Sequence, residues 1–95
     1  MPRCIVLHPL DNVATLIDAV HVGDECTLQG ERKGSVTLLQ DVAFGHKVCI
    51  LEIGSGGEVL KYGQVIGRAT QPIAVGQHAH VHNIDSARAR GDLNH

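Results

Sequence analysis

A chain of 95 residues has room for one domain and a modest core, and its formal charge of −2, without any block of like charges, argues against nucleic acid or an anionic membrane as partner. No stretch approaches the roughly 18 apolar residues of a membrane span, and the N-terminus lacks the basic-then-apolar layout of a signal peptide, so the sequence reads as cytoplasmic. Phe44 and Tyr62 are its only aromatic residues and glycine reaches 11 of 95, which together call for a core of Val, Ile, Leu and Ala threaded by frequent turns.

Taken in chain order, Cys4 to Leu7 is a short apolar β run. Asp11 and Asn12 then offer a helix N-cap before Val13, Leu16 and Ile17, which share one helical face, so a short helix is expected there, ending before Gly23. Short β segments follow at Cys26 to Leu28, Ser35 to Leu39, Lys47 to Leu51, Val65 to Ala69 and Ala79 to His82. Gly30 and Gly34 bracket a polar hairpin tip at Glu31-Arg32-Lys33. From Asp85 to His95 apolar periodicity almost vanishes, and residues 85–95 read as a flexible tail or one fastened by a partner. Cys4, Cys26 and Cys49 are odd in number, far apart and set in apolar runs, which fits three buried thiols and neither a disulfide framework nor a paired metal site.

Aligning the glycines exposes a repeat. Four stretches read apolar-x-x-Gly-x-x-apolar: Val20 to Cys26, Val42 to Val48, Ile53 to Val59 and Ile73 to Ala79. In each, the glycine permits a positive-φ turn and the flanking apolar residues return to the core. The intervals between these glycines are too uneven for a solenoid, and a small clip or barrel is expected.

Seven histidines stand in the chain, three of them in His78-Ala79-His80-Val81-His82. Strict alternation on a strand puts all three imidazoles on one face, roughly 6.5 to 7 Å apart at Cα, within reach of one metal ion. His46, just after the second repeat glycine, is placed to join them from a turn. Lys61 and Arg68 bracket a glycine-containing segment and are the candidate holders of a substrate carboxylate, Arg68 by a bidentate fork and Lys61 as a point charge. The Gly54-Ser55-Gly56-Gly57 run lacks the Lys-Ser/Thr of a phosphate-binding loop, so nucleotide binding is rejected. Neither a Ser-His-Asp or Cys-His arrangement nor an acidic pair is recognisable from spacing, so the domain is equipped to bind more than to react alone.

Leu7-His8-Pro9-Leu10-Asp11-Asn12-Val13-Ala14, Gly45-His46-Lys47, Lys61-Tyr62-Gly63-Gln64-Val65-Ile66-Gly67-Arg68-Ala69-Thr70 and His78-Ala79-His80-Val81-His82-Asn83 together resemble the N-terminal domain of altronate and galactarate dehydratases, over about residues 5 to 84. The resemblance implies a mainly β fold, a β-clip SAF domain like that of antifreeze-type modules, here with one short helix, over residues 1–84. It implies β-elimination from a 2-hydroxy acid, releasing water from a sugar acid such as altronate or galactarate or, as in sulfolactate sulfo-lyase alpha subunits, sulfite from sulfolactate. Longer relatives continue into a large lyase domain, so the resemblance implies that this chain acts as a small subunit with a separate large lyase subunit that carries the base. A divalent metal, Fe(II) or Mn(II), is expected at the interface with that subunit, with His78, His80 and His82 as its ligands and His46, Lys61 and Arg68 binding substrate. Phe44 before Gly45 and the basic tail with Arg88 and Arg90 depart from the family pattern. Two other readings stay open: a free-standing binding module for sugar acids or metal, and an oligomerisation domain whose histidine face is an interface. The exposed strand edges of so small a β domain also allow a homo-oligomer.

Overall fold

The computed structural model describes residues 2–86, and these are built from strands and turns alone. Nine strands occur: β1 Arg3–Val6, β2 Val13–Leu16, β3 Glu25–Gly30, β4 Gly34–Thr37, β5 Lys47–Cys49, β6 Glu58–Lys61, β7 Gln64–Ala69, β8 His78–Ala79 and β9 Ile84–Ser86. The first sheet runs in the order β4-β3-β1-β2-β5-β8 and the second in the order β6-β7-β9. Among the described residues only the β1–β3 pair is parallel. The mainly β expectation holds, and the segment Cys4 to Leu7 and the hairpin between Gly30 and Gly34 lie where the sequence puts them. Of the tail expected from Asp85 onward, Asp85 and Ser86 belong to β9, which pairs with β7; 87–95 lie outside the described residues.

The expected helix after Asp11 is replaced by β2. Val13, Ala14 and Leu16 are all buried, because β2 separates two cores. Ala14 and Leu16 pack with Cys4, Val6, Cys26 and Val48 on one side. Val13 packs with Cys49, Ile53, Val59 and Ile73 on the other. A strand covered on both faces loses the apolar–polar alternation that marks a strand, and its apolar run then mimics one helical face. β5 has the same property: Val48 belongs to the first core and Cys49 to the second.

Asp11 does accept backbone N–H groups, as a capping residue does, but from distant partners. Its wholly buried carboxylate accepts from Tyr62 N at 3.1 Å and Gly63 N at 2.8 Å. Asn12 adds Nδ2 to Glu58 O and Oδ1 from Leu60 N, each at 2.8 Å. The pair therefore stitches the β6–β7 hairpin to the first sheet, and fixes Tyr62 at a φ of 59° that side-chain-bearing residues seldom adopt.

The glycine repeat governs the rest. Gly23, Gly45, Gly56 and Gly76 all have positive φ, between 80° and 93°, and the apolar residues three places to either side of each are buried. In all four turns the residue after the glycine donates to the carbonyl three residues back: Asp24 to His21, His46 to Ala43, Gly57 to Gly54 and Gln77 to Ala74. Glycine at the third position of such a turn is what its geometry requires. The repeats also pair two by two, through antiparallel bridges Val20–Val42 and Ile53–Ile73. A repeat too uneven for a solenoid thus closes on itself as two pairs of like turns.

Candidate functional site

The second and fourth glycine turns carry the histidines. Gly45 is followed by His46 and then β5; Gly76 leads through Gln77 into β8. These strands pair antiparallel with Lys47 opposite Ala79 and Val48 opposite His78. Continued by one residue, that register sets His46 across from His80, with His78 on the diagonal.

The ring centroids of His46 lie 4.5 Å from His80 and 5.0 Å from His78, and those of His78 and His80 are 5.3 Å apart. One nitrogen from each of His46, His78 and His80 lies within 4.8 Å of the others. His46 Nδ1 and His78 Nε2 are 2.9 Å apart, one carrying the proton that the other accepts.

The strand expected over Ala79 to His82 is shorter than its alternation implies. β8 ends at Ala79, and the chain turns at His80 to Asn83. Buried Asn83 makes the turn: its Oδ1 accepts from His80 N, its Nδ2 donates to His78 O, both at 2.9 Å, and its own N–H donates to His80 O. Gln40 Oε1 accepts from His78 N at 2.8 Å. The turn carries His82 outward, where its ring neighbours His78 at 5.2 Å and stands apart from the three converging nitrogens. His46 joins His78 and His80 from its turn, as its place after the repeat glycine leads one to expect.

Burial, then the neighbouring His46, His82, His80 and Lys47, pushes the His78 imidazole down to about 4. Burial, followed by His46, Lys47 and His82, also holds His80 below its usual value. Both are therefore neutral near pH 7, the form that binds metal. Burial, then the charge of Lys61, lowers the Lys47 ammonium.

The donor set passes a test of fit to a divalent ion. Two cis ligands bonded at about 2.1 Å stand about 3.0 Å apart, close to the His46–His78 separation, and a three-imidazole set leaves positions open for oxygen ligands.

The carboxylate-holding candidates are separated. Lys61, whose Nζ sits 5.5 Å from the Tyr62 ring centroid, adds its charge to the burial that lowers the Lys47 ammonium. Arg68 is engaged within the second sheet, donating to Gly56 O at 3.2 Å and standing 3.6 Å from the Glu58 carboxylate. Spacing along the chain does not reveal Asn83, Gln40 and Lys47 beside the cluster: Asn83 closes the local turn after β8, Gln40 reaches His78 N from 38 residues away, and Lys47 adjoins His46 at the start of β5.

Fold and site define a class: a small all-β domain whose glycine turns present a three-imidazole cluster. The chain belongs to the altronate/galactarate dehydratase SAF domain family, which it matches over residues 2–87. It is 44% identical over 79 residues to altronate dehydratase of Escherichia coli (strain K12), covering 83% of this chain and 15% of that one, and 34% identical over 83 residues to altronate dehydratase of Bacillus subtilis (strain 168), covering 87% and 16%. It is 30% identical over 88 residues to the (2R)-sulfolactate sulfo-lyase subunit alpha of Chromohalobacter salexigens, covering 87% of this chain and 94% of that subunit. The chain thus spans a small fraction of the dehydratases and nearly all of the sulfo-lyase subunit.

Proposed function

We propose that this chain is the small subunit of a hydro-lyase that dehydrates a sugar acid, such as altronate or galactarate, to a 2-keto-3-deoxy acid, working with a separate large catalytic subunit. The observation that carries the reading is the convergence of His46, His78 and His80 on a domain of a dehydratase family.

In the proposed reaction the proton on C2, beside the carboxylate, passes to a base on the large subunit, the C2–H electron pair forms the C2–C3 double bond, and the C3 hydroxyl departs as water with a proton given by an acid on that subunit. The resulting enol becomes the 2-keto acid. A divalent ion, Fe(II) or Mn(II), bound by the cluster supplies Lewis-acid polarisation of the substrate oxygens. The contribution of this chain is positional: Asn83 and Gln40 fix the backbone of His78 and His80, the paired strands fix His46 against them, and Lys61 adds positive charge on the carboxylate side.

A second substrate has its own support. The chain spans 94% of a sulfolactate sulfo-lyase alpha subunit, and loss of sulfite from C3 of sulfolactate follows the same proton removal at C2.

The test is affinity capture of the tagged chain from its native extract, followed by assay with altronate, galactarate and sulfolactate. A larger chain that co-elutes and brings 2-keto acid formation supports the reading, and sulfite release selects the second substrate. Full turnover by the purified small chain alone contradicts the division of labour, and saturable ligand binding with no partner and no turnover replaces it with a binding module.

A further inference from the structure

Two grooves flank the histidine cluster, and their charge differs. One, of about 360 Å³, is bordered by His46, His78, His21 and the exposed Asp41, whose carboxylate lies 3.8 Å from His21. The other, of about 180 Å³, lies in the seam between the two sheets and is walled by Lys47, His80, Val81, Ile66, Ile84 and Ser86. Lys47 and His80 thus come from the first sheet and its turn, and Ile66, Ile84 and Ser86 from the second.

We infer that the Lys47 groove takes the carboxylate end of the hydroxy acid, with Lys47 as its cationic partner and the hydroxyl-bearing carbons directed toward His80 and the cluster; this rests on the function proposed above. Four observations support it. Lys47 forms no ion pair among the described residues and lines the groove, whereas of the other candidate cations Arg68 faces Glu58 and Lys61 does not line it. Lys47 shares the groove with the apolar residues Ile66, Ile84 and Val81, beside which a charge pair is screened less than in bulk water. The groove shares His80 with the cluster, so one small molecule reaches both. The larger groove presents a carboxylate, which repels an acid. A volume below the roughly 300–1,000 Å³ of drug-sized pockets suits one end of a short acid, with its other end left for the large subunit. The same site accepts the carboxylate of a sugar acid or of sulfolactate.

The test is nuclear magnetic resonance titration of the full chain, with and without Zn(II), using D-altronate, (2R)-sulfolactate and the neutral polyol altritol, in the wild type and in K47M and K47R. The expected result is that both acids shift resonances of Lys47, Ile66 and Ile84 while altritol does not. K47M weakens acid binding by about tenfold or more, the scale of one charged hydrogen bond, and K47R restores most of it. The amide spectrum of each variant matches the wild type away from residue 47, which certifies that both are folded. Acid binding by K47M equal to wild type, or no acid-dependent shift in the wild type at about 50 mM, beyond the weakest affinities usually counted as binding, overturns the inference. Failure of Zn(II) to bind overturns the metal reading alone, because the contact of the acid with Lys47 is read in the zinc-free sample as well.

Discussion

His46 Nδ1 and His78 Nε2 stand 2.9 Å apart across 32 residues of chain, brought together by the pairing of β5 with β8. A proton shared between two rings and a metal ion bonded to both ask for a similar nitrogen–nitrogen separation, so the proposal that this cluster holds an ion is open to direct test. The expected outcome is one Zn(II) or Mn(II) per chain by calorimetry with elemental analysis. His46→Ala, His78→Ala and His80→Ala each weaken it by at least tens of fold, and His82→Ala does so less, on the order of what an outer partner contributes, about tenfold.

Asn83 ties His78 O and His80 N with one side chain. Asn83→Ala leaves both backbone groups short of a partner in a part-buried turn, at a cost of about 1–2 kcal/mol. For a domain of this size that lowers Tm by roughly 4–8 °C per kcal/mol, measurable by thermal denaturation, and metal affinity falls with it. Asn83→Asp retains the acceptor for His80 N and recovers part of the stability.

The repeat glycines separate strain from crowding. A Cβ on Gly45 meets open space, so Gly45→Ala bears only the cost of its φ of 82°, about 1–2 kcal/mol. A Cβ on Gly76 collides with the Thr37 carbonyl and crowds Leu39, so Gly76→Ala is the more damaging change. Urea unfolding of the two variants is expected to rank them in that order.

Much of this was legible in the sequence, and the failures share a cause. The four glycine turns were readable because a positive-φ turn demands glycine and because buried residues must flank it. Alternation correctly brings His78 and His80 together, but β8 ends at Ala79 and the turn that follows carries His82 away, which a strand pattern cannot show. β2 was misread as a helix because burial on both faces erases the period that tells strand from helix, and Val13, Leu16 and Ile17 then fit either. Lys47 is not legible in the sequence because a lone lysine after a histidine looks like any solvated cation until the second sheet is set beside it. Arg68 drew attention by its place in a motif, yet its guanidinium is turned to Glu58 and Gly56, which spacing along the chain cannot reveal.

Burial pushes the Cys4 thiol up to about 12 and Cys49 up to about 11, from 9.0. Cys26, likewise buried, is raised too. Above pH 9.0 an unfolded thiol ionises while the folded one stays protonated, so the unfolded state binds fewer protons and stability falls as pH rises. The contribution is complete below pH 9.0 and is lost between there and about 12 for Cys4. Urea midpoints are expected to hold near neutrality and decline above pH 9.0, less steeply in Cys4→Val. Near neutral pH, thiol-specific reagents are expected to label the three cysteines only on unfolding.

The central claim is that the His46–His78–His80 cluster serves a lyase reaction completed by a larger chain. The most direct measurement is the rate of 2-keto acid or sulfite release by the assembly captured with His78→Ala, set against the wild-type assembly. The account predicts that the large chain co-elutes undiminished while the rate falls by about a hundredfold or more, the scale of one electrostatic catalytic group. An unchanged rate in an assembly carrying His78→Ala contradicts it, and would leave the cluster a structural feature of the β5–β8 pair.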